Sequence, residues 1–417
     1  MPKRGNTVAR NAAEWGRTPP LPATHYVDPL IYTSAEILVE ERAKLFARSW
    51  LIACHERELA QRYDYRTYRH PAEKNLVIVR GDDDVVRAFY NVCSHRGNTI
   101  VYNPAGNAKH LLCIFHTFAF DCRGACVAIP REKAGYQDRL SKTDFGLRAV
   151  RTEIGFGGFV YVNLDDAAAP LGEFIGEALD DMLPSLETEP LEVFSFHRAI
   201  VPTNYKLWHD TNSEFYHDYM HYHNRQTSMM QPGYYDRRYT TFPNGHARVG
   251  DMVVKYEAYA GFKSRNLSFP GMPLNGWKMV DLFPGMTYNL RGSSLRVDTV
   301  IPISPLETAI EFRGLGLKRD TPQERASRMH DYNTIWGPFG RNLHEDLLGV
   351  LGQGRALERG QTYVVHGREE DATIHDEIGM RHFYAEWSRK MGRSSSDPFG
   401  ARSTPDSIGV ELEEVLA

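Results

Sequence analysis

The sequence predicts an α+β fold in which a small all-β unit stands ahead of a larger unit built on a broad antiparallel sheet flanked by helices. Three observations predict it. Between residues 47 and 165, short runs rich in Val, Ile, Phe and Tyr ("NLVIVRG", "VVRAFYNVCS", "LLCIFHTFAFD", "GFVYVNL") are separated by Gly, Asn and Asp, the texture of short strands and tight turns. From 245 to 320 the strand signal returns in longer segments, "ARVGDMVVKYEAYAG", "SLRVDTVIPIS" and "AIEFRGLGLK". Helical signals fill 166–225 and 322–392.

Taken in order, residues 1–46 are Pro-rich and then helical. In "DPLIYTSAEILVEERAKLFARSW", Thr33 or Ser34 serves as N-cap, with acidic residues early and Lys/Arg late. This segment is expected to pack on the larger unit, which spans 166–392 and follows the β unit of 47–165. The stretch 393–417, opening "RSSSDPFGARSTPD", reads as a flexible tail. A chain of 417 residues suits two such units. A net charge of −4 offers nothing to recruit nucleic acid or an anionic membrane surface. No apolar run approaches the roughly 20 residues of a membrane-spanning helix, and the N-terminus lacks the apolar stretch of a secretory signal, so a cytoplasmic location is expected.

Five cysteines occur, at 54, 93, 113, 122 and 126, an odd number that argues for metal ligation or burial rather than a disulfide framework. The segment "CSHRGNTIVYNPAGNAKHLLCIFH" opens on Cys93-x-His95 and closes on Cys113-x-x-His116. Thiolate plus imidazole suits zinc, or a [2Fe–2S] cluster with two thiolates on one iron and two imidazoles on the other. A zinc finger pairs two cysteines on one knuckle and two histidines on a helix; here each loop supplies one of each, as asymmetric cluster ligation requires. Cys122 and Cys126 lack a regular Cys-x-x-Cys spacing and read as buried or turn residues.

A second cluster lies in "TNYKLWHDTNSEFYHDYMHYHNRQT", which holds Glu214, His217, His221 and His223. If helical, His217 and His221 share one face, with Glu214 on the same side. Two imidazoles plus a distant carboxylate make a facial triad that leaves coordination positions open for dioxygen. His209 and His223 read as pocket-lining residues. Arg225, Arg237 and Arg238 are candidates for a substrate carboxylate or sulfonate, with surface charge the plainer reading.

Cys93-Ser-His95-Arg96-Gly97 and Cys113-Ile-Phe-His116, with "FDCRG" and "VAIP" following, resemble the Rieske motif of the ring-hydroxylating oxygenases, specifically their large (alpha) subunit. Thr117-Phe118 departs from the family's usual Gly-Trp. "NYKLWHDTNSEFYH" is similar to the family's iron segment, with Glu214 where Asp is commoner. Most members place the second histidine five residues after the first, which here is Tyr222; a minority use four, which selects His221 over His223. "NLHEDLLGVLGQGRAL" resembles the family's acidic pair, pointing to Asp346 with Glu345 as competitor.

The resemblance implies a terminal oxygenase with a [2Fe–2S] Rieske cluster on Cys93, His95, Cys113 and His116, and mononuclear Fe(II) on His217, His221 and Asp346. It further implies electrons from a separate ferredoxin or flavin reductase, passed on through Glu214 to the iron of a neighbouring subunit, in a homotrimer or a trimer with a small β subunit. The expected reaction is hydroxylation or dihydroxylation of an aromatic or related small organic substrate. O- or N-demethylation, or oxidation of a small sulfonate or amine, is the alternative. A Rieske electron carrier and a zinc-binding non-enzyme are the readings from other classes.

Overall fold

The early strands, rich in β-branched and aromatic residues, pair into a seven-stranded antiparallel sheet. Its spatial order is Leu51–His55, Phe159–Asn163, Ala149–Gly155, Val86–Tyr90, Lys74–Arg80, Asp64–His70 and Ala105–Asn107. Three short strands, His110–Leu112, Ala119–Asp121 and Cys126–Ala128, form a separate sheet beside it. Cys93 and Cys113 are buried in one apolar cluster with Val77, Val79, Phe89, Phe118, Phe120 and Phe145. The loops that carry them are therefore fixed from beneath by a packed β core. The structure is a computed structural model and describes residues 17–253, 267–337, 340–360 and 362–400.

The larger unit holds a second seven-stranded antiparallel sheet, in the order Leu191–Val201, Glu307–Leu317, Ser294–Ser304, Met286–Arg291, Gly276–Leu282, His246–Val253 and Tyr239–Phe242. The first of these corrects the helical expectation for 166–225. Leu191–Val201 is an 11-residue strand along Glu307–Leu317, and ten of its residues pair across one register shift between Val193 and Ser195, which outweighs its local helical neighbourhood. The long strand expected from Ala247 onward is seen to Val253; its remainder lies outside the described residues.

Five helices matter for the site. They are α1 (Ala35–Lys44), α2 (Tyr205–Ser213), α3 (Pro322–Trp336), α4 (Leu343–Gly360) and α5 (Ile378–Met391). Ser34 caps α1, its hydroxyl accepting from the Ile37 N–H. The Thr321 side chain and Glu324 cap α3 reciprocally, with Pro322 leading the helix.

The amino-terminal helix is locked into the larger unit by one buried carboxylate. Glu41 accepts from Lys206 Nζ of α2 at 2.7 Å and from Trp387 Nε1 of α5 at 2.6 Å, with both charged side chains fully out of solvent. Around it, Ile37, Phe46, Tyr205, Leu207 and Trp387 belong to one hydrophobic cluster. Residues 393–400, which composition assigns to a flexible tail, are held as well: the Asp28 N–H donates to Ser395 O at 2.9 Å, and Ser395 and Ser396 are buried. Residues 401–417 and 1–16 lie outside the described residues.

Replacing Glu41 by Ala leaves a buried ammonium without its partner, an unpaired charge whose expected cost is about 3–5 kcal/mol. The midpoint of urea unfolding reads it, and an unchanged midpoint overturns the assignment. The double variant Glu41→Leu with Lys206→Met, which removes both charges, is expected to lose much less.

Candidate metal centres

The first cluster is carried by two loops of the same build. In one, the Gly97 N–H donates to Cys93 O at 2.9 Å and the Cys93 N–H to Asn98 O at 2.8 Å. In the other, the Thr117 N–H donates to Cys113 O at 2.9 Å and the Cys113 N–H to Phe118 O at 2.9 Å. The fifth residue of each loop is left-handed, with φ 73° at Gly97 and φ 57° at Thr117. Gly adopts that conformation freely, whereas a β-branched residue is strained in it. The second loop thus bears a backbone cost exactly where the sequence departs from the family's glycine, and its closing hydrogen bonds hold it there.

Inside the loops, the backbone N–H groups of His95 and Arg96 face the Cys93 sulfur, and those of Phe115 and His116 face Cys113. Asn98 Nδ2 also donates to Cys113 Sγ, at 3.7 Å. Burial raises the Cys93 thiol above its ordinary range. Burial acts the same way on Cys113, but the Phe115 N–H, Asn98 and the neighbouring donors outweigh it and bring that thiol down. The two imidazoles meet edge to face with centroids 4.8 Å apart, and His95 stacks on Phe118 at 4.4 Å. Phe118 therefore supplies an aromatic surface at the position where tryptophan is usual. His95 Nδ1 is buried with no hydrogen-bond partner. Two buried thiols ringed by N–H donors, with an imidazole nitrogen left open, fit a [2Fe–2S] cluster held through two sulfurs and two nitrogens.

At the second cluster the continuous helix on which His217 and His221 would share one face is not present. Helix α2 stops at Ser213, Glu214 is extended (φ −145°, ψ 155°), Tyr216–Tyr219 form a 3₁₀ turn, and Tyr222–Gln226 form a separate short helix. The cause is local. The His217 N–H, which a continuing helix would give to the Ser213 carbonyl, instead donates to Glu214 Oε2 at 3.0 Å.

The break still brings the expected residues together. The rings of His217 and His221 lie 5.3 Å apart. His217 Nδ1 faces Glu214 Oε1 at 2.8 Å and His221 Nδ1 faces Glu345 Oε2 at 2.6 Å. With each Nδ1 turned to a carboxylate, the two Nε2 atoms are the ones left to ligate a metal once they have shed their protons. Those two atoms converge on Asp346 Oδ1, at 3.6 Å from His217 and 3.0 Å from His221. That oxygen is buried without a hydrogen-bond partner.

The other candidates fall outside this set. Asp218 also lies near both histidines, but Asn224 Nδ2 at 2.9 Å and the Tyr234 hydroxyl occupy its two oxygens. His223 is exposed, its ring edge-on to Tyr222. Glu345 is engaged through its carboxylate by His221. His209 is buried, 2.8 Å from Ser213 Oγ, which donates to Asp281 at 3.0 Å, so it braces α2 against the sheet. Arg225 and Arg238 are exposed, as surface charges are, whereas Arg237 is buried. Sequence reading assigned no role to Asp281, Tyr234 or Trp277. No local signal marks them, because each reaches the site through tertiary packing.

Burial opposes a proton on His217, but Glu214, Asp346 and Asp218 prevail and push it up to about 10. His221 is raised too: burial again opposes, and Asp346 dominates the carboxylates that overcome it. A site with this excess of negative charge is built for a cation, and two imidazoles with one carboxylate fit a ferrous ion.

Two thiolate–imidazole loops on a β core and a two-histidine, one-carboxylate cluster on a helix-covered sheet fit an iron protein with one electron-carrying and one oxygen-activating centre. Residues 49–149 match the model of the Rieske [2Fe-2S] domain, and residues 184–393 match that of the ring hydroxylating alpha subunit (catalytic domain). The chain is 52% identical over 402 residues to the methanesulfonate monooxygenase hydroxylase subunit alpha of Methylosulfonomonas methylovora, covering 94% of this chain and 97% of that one. It is 41% identical over 395 residues to the 2-aminobenzenesulfonate 2,3-dioxygenase subunit alpha of an Alcaligenes species, covering 93% and 99%. Naphthalene 1,2-dioxygenase with indole bound shares the fold at a TM-score of 0.75 and 20% identity, over 92% of this chain and 96% of that one. The chain belongs to the ring-hydroxylating oxygenase alpha-subunit family.

It is an oxidoreductase whose cofactors are a Rieske [2Fe–2S] cluster and mononuclear iron. Alpha subunits of this kind take electrons from a ferredoxin or reductase and often work with a beta subunit. Among the described residues, no helix is long and apolar enough to cross a membrane.

Because a histidine must shed its proton before it ligates metal, Fe(II) binding to metal-free protein is expected to tighten as pH rises, by up to about tenfold per unit for one proton released. Calorimetric titration in two buffers of different ionisation enthalpy checks it. Affinity independent of pH, with no proton released, contradicts the raised His217.

Proposed function

We propose that this chain is the terminal oxygenase component for a small organosulfonate. The observation that carries the reading is that two relatives, each matched over nearly its whole length, are named for sulfonates even though one is a monooxygenase and the other a dioxygenase. What they share by name is the anionic group, not the carbon skeleton or the outcome. Either outcome consumes O2, two electrons and two protons. Monooxygenation puts one oxygen atom into a C–H bond and releases the other as water, while dioxygenation retains both.

In this reading residues 47–165 form the electron-accepting unit and 166–392 the oxygenating unit. Cys93, His95, Cys113 and His116 hold the cluster, while His217, His221 and Asp346 hold the iron. The iron, when bound, supplies the redox chemistry that activates O2. Glu214 and Glu345 orient the two histidine rings through their Nδ1–H groups. Glu214 has carboxylate lone pairs beyond those used by His217, so it can also accept from His116 of a neighbouring copy, in a homotrimer with or without a small subunit.

The test is O2 uptake coupled to NADH consumption by the reconstituted enzyme, ferredoxin and reductase. Methanesulfonate and 2-aminobenzenesulfonate are expected to stimulate it and benzene and naphthalene are not; stimulation by the arenes alone sinks the reading. Glu214→Gln keeps the shape but exchanges an acceptor oxygen for an NH2 donor. Its cluster and iron contents are expected to match those of the parent, and its cluster to reduce, while coupled turnover falls by orders of magnitude; near-normal turnover shows that electrons take another route.

A further inference from the structure

Five arginines among the described residues are buried: Arg237, Arg296, Arg313, Arg328 and Arg381. Four have a carboxylate close by, Arg296 with Asp298 at 2.7 Å, Arg313 with Glu311 at 3.0 Å, Arg328 with Asp320 at 2.9 Å and Arg381 with Asp376 at 2.6 Å. Arg237 has none among the described residues. Its Nε donates to Tyr234 O at 3.2 Å, and its Nη1 is buried with no hydrogen-bond partner. Asp218, whose field reaches the guanidinium, is already engaged by Asn224 and Tyr234.

The surroundings of Arg237 belong to the iron centre. Its Cζ lies 4.6 Å from the Tyr234 ring, 5.5 Å from Trp277 and 5.6 Å from Phe215. The Phe215 ring is in turn 5.9 Å from that of His217. On Phe215 also packs Tyr239, with ring centroids 6.4 Å apart, and its buried hydroxyl has no hydrogen-bond partner either. Two unpartnered polar groups, one a fixed cation, therefore flank the same ring beside the metal ligands.

A guanidinium removed from water with no counter-charge is expensive, and aromatic faces compensate only in part. An occupant that brings negative charge and accepts hydrogen bonds removes that cost. A cationic substrate adds repulsion, and a neutral arene leaves Nη1 unpaired. We infer that Arg237, assisted by the Tyr239 hydroxyl, is the anchor for the substrate's sulfonate group. This rests on the organosulfonate reading above. Arg237 is a specificity-determining residue: its fork holds the oxyanion, while the carbon to be oxidised is turned toward the His217, His221 and Asp346 side of Phe215.

The test compares the holoenzyme with Arg237→Met and Arg237→Lys, in coupled turnover and in direct calorimetric binding of methanesulfonate and its neutral analogue methanesulfonamide. The parent is expected to prefer the anion. In Arg237→Met the KM and Kd for methanesulfonate are expected to rise about ten- to hundredfold, as for loss of a charged hydrogen bond, and the preference over the sulfonamide to collapse, with cluster and iron contents unchanged. Should Arg237→Met lose iron or fold poorly, Arg237→Lys decides: it keeps the charge but not the fork, so a several-fold weakening with the anion preference retained supports the anchor. A parent that turns over methanesulfonate, with variants whose Kd stays within twofold, overturns the anchor and leaves the functional reading standing. A parent that neither binds nor oxidises any sulfonate overturns both.

Discussion

Three candidate ligand atoms, His217 Nε2, His221 Nε2 and Asp346 Oδ1, face one another with the two nitrogens 3.6 and 3.0 Å from the oxygen, and the catalytic half is organised around that constraint. Two imidazoles and a carboxylate converge on one point only if the surrounding structure holds them there. It does so from both sides. Glu214 and Glu345 pin the outer nitrogens of the rings. Helix α4, which carries Asp346, is drawn against the start of α2 by Thr203 Oγ1 donating to Val350 O at 2.8 Å. A Cβ at Gly354 would meet that same Thr203 oxygen at 2.7 Å, so the close approach of the two segments requires glycine there. On the far side, Ser213 donates to Asp281, and the pairing of Asp281 with Thr287 and of Thr287 with Asp298 continues a polar row across the sheet.

The cluster answers to a different demand. In the proposed reading it takes electrons from a separate donor, so the loops that would hold it remain at the surface while their sulfurs are buried. Cys93 and Cys113 are 3% and 1% exposed, yet Ile114 and Phe115 in the same loop are 68% and 59% exposed. Short loops from a rigid β core satisfy both requirements, since N–H groups of consecutive residues turn inward toward the sulfurs while the side chains point out. The His217, His221 and Asp346 side chains are instead set deeper, 18%, 4% and 10% exposed, between helices and a broad sheet.

Much of this was legible in the sequence, and the failures have physical reasons. The two Cys-His loops on the β core were legible because cysteine and histidine at short spacing between strand signals serve few other purposes. The strands were legible where they alternate. Leu191–Val201 was not, because its strand character depends on pairing with Glu307–Leu317 more than a hundred residues later. The His217–His221 spacing pointed to the pair that converges, but through a helix that does not continue: the deciding hydrogen bond, from the His217 backbone to the Glu214 side chain, competes locally with helix propagation. The role of Glu345 depends on a contact across 124 positions. The burial of Arg237 likewise comes from tertiary packing, and its charge alone reads as surface.

That arginine bears on how one scaffold serves both a methyl and an aryl sulfonate oxygenase. A pocket that recognises a hydrocarbon by shape discriminates weakly, since each methylene contributes only about 1–3 kcal/mol. A buried charged donor discriminates through the penalty of being left unpaired, which is independent of the skeleton attached to the anion. Orientation then follows from one fixed end. With the sulfonate held, the carbon presented to the iron depends on the distance from sulfur, and the remaining walls have only to tolerate what is attached. Such a site is prepared by the protein's own contacts, because Arg237 is buried and held by Tyr234 O, so little ordering remains to be done on binding. The cost is a guanidinium nitrogen that the protein itself leaves buried and unpaired.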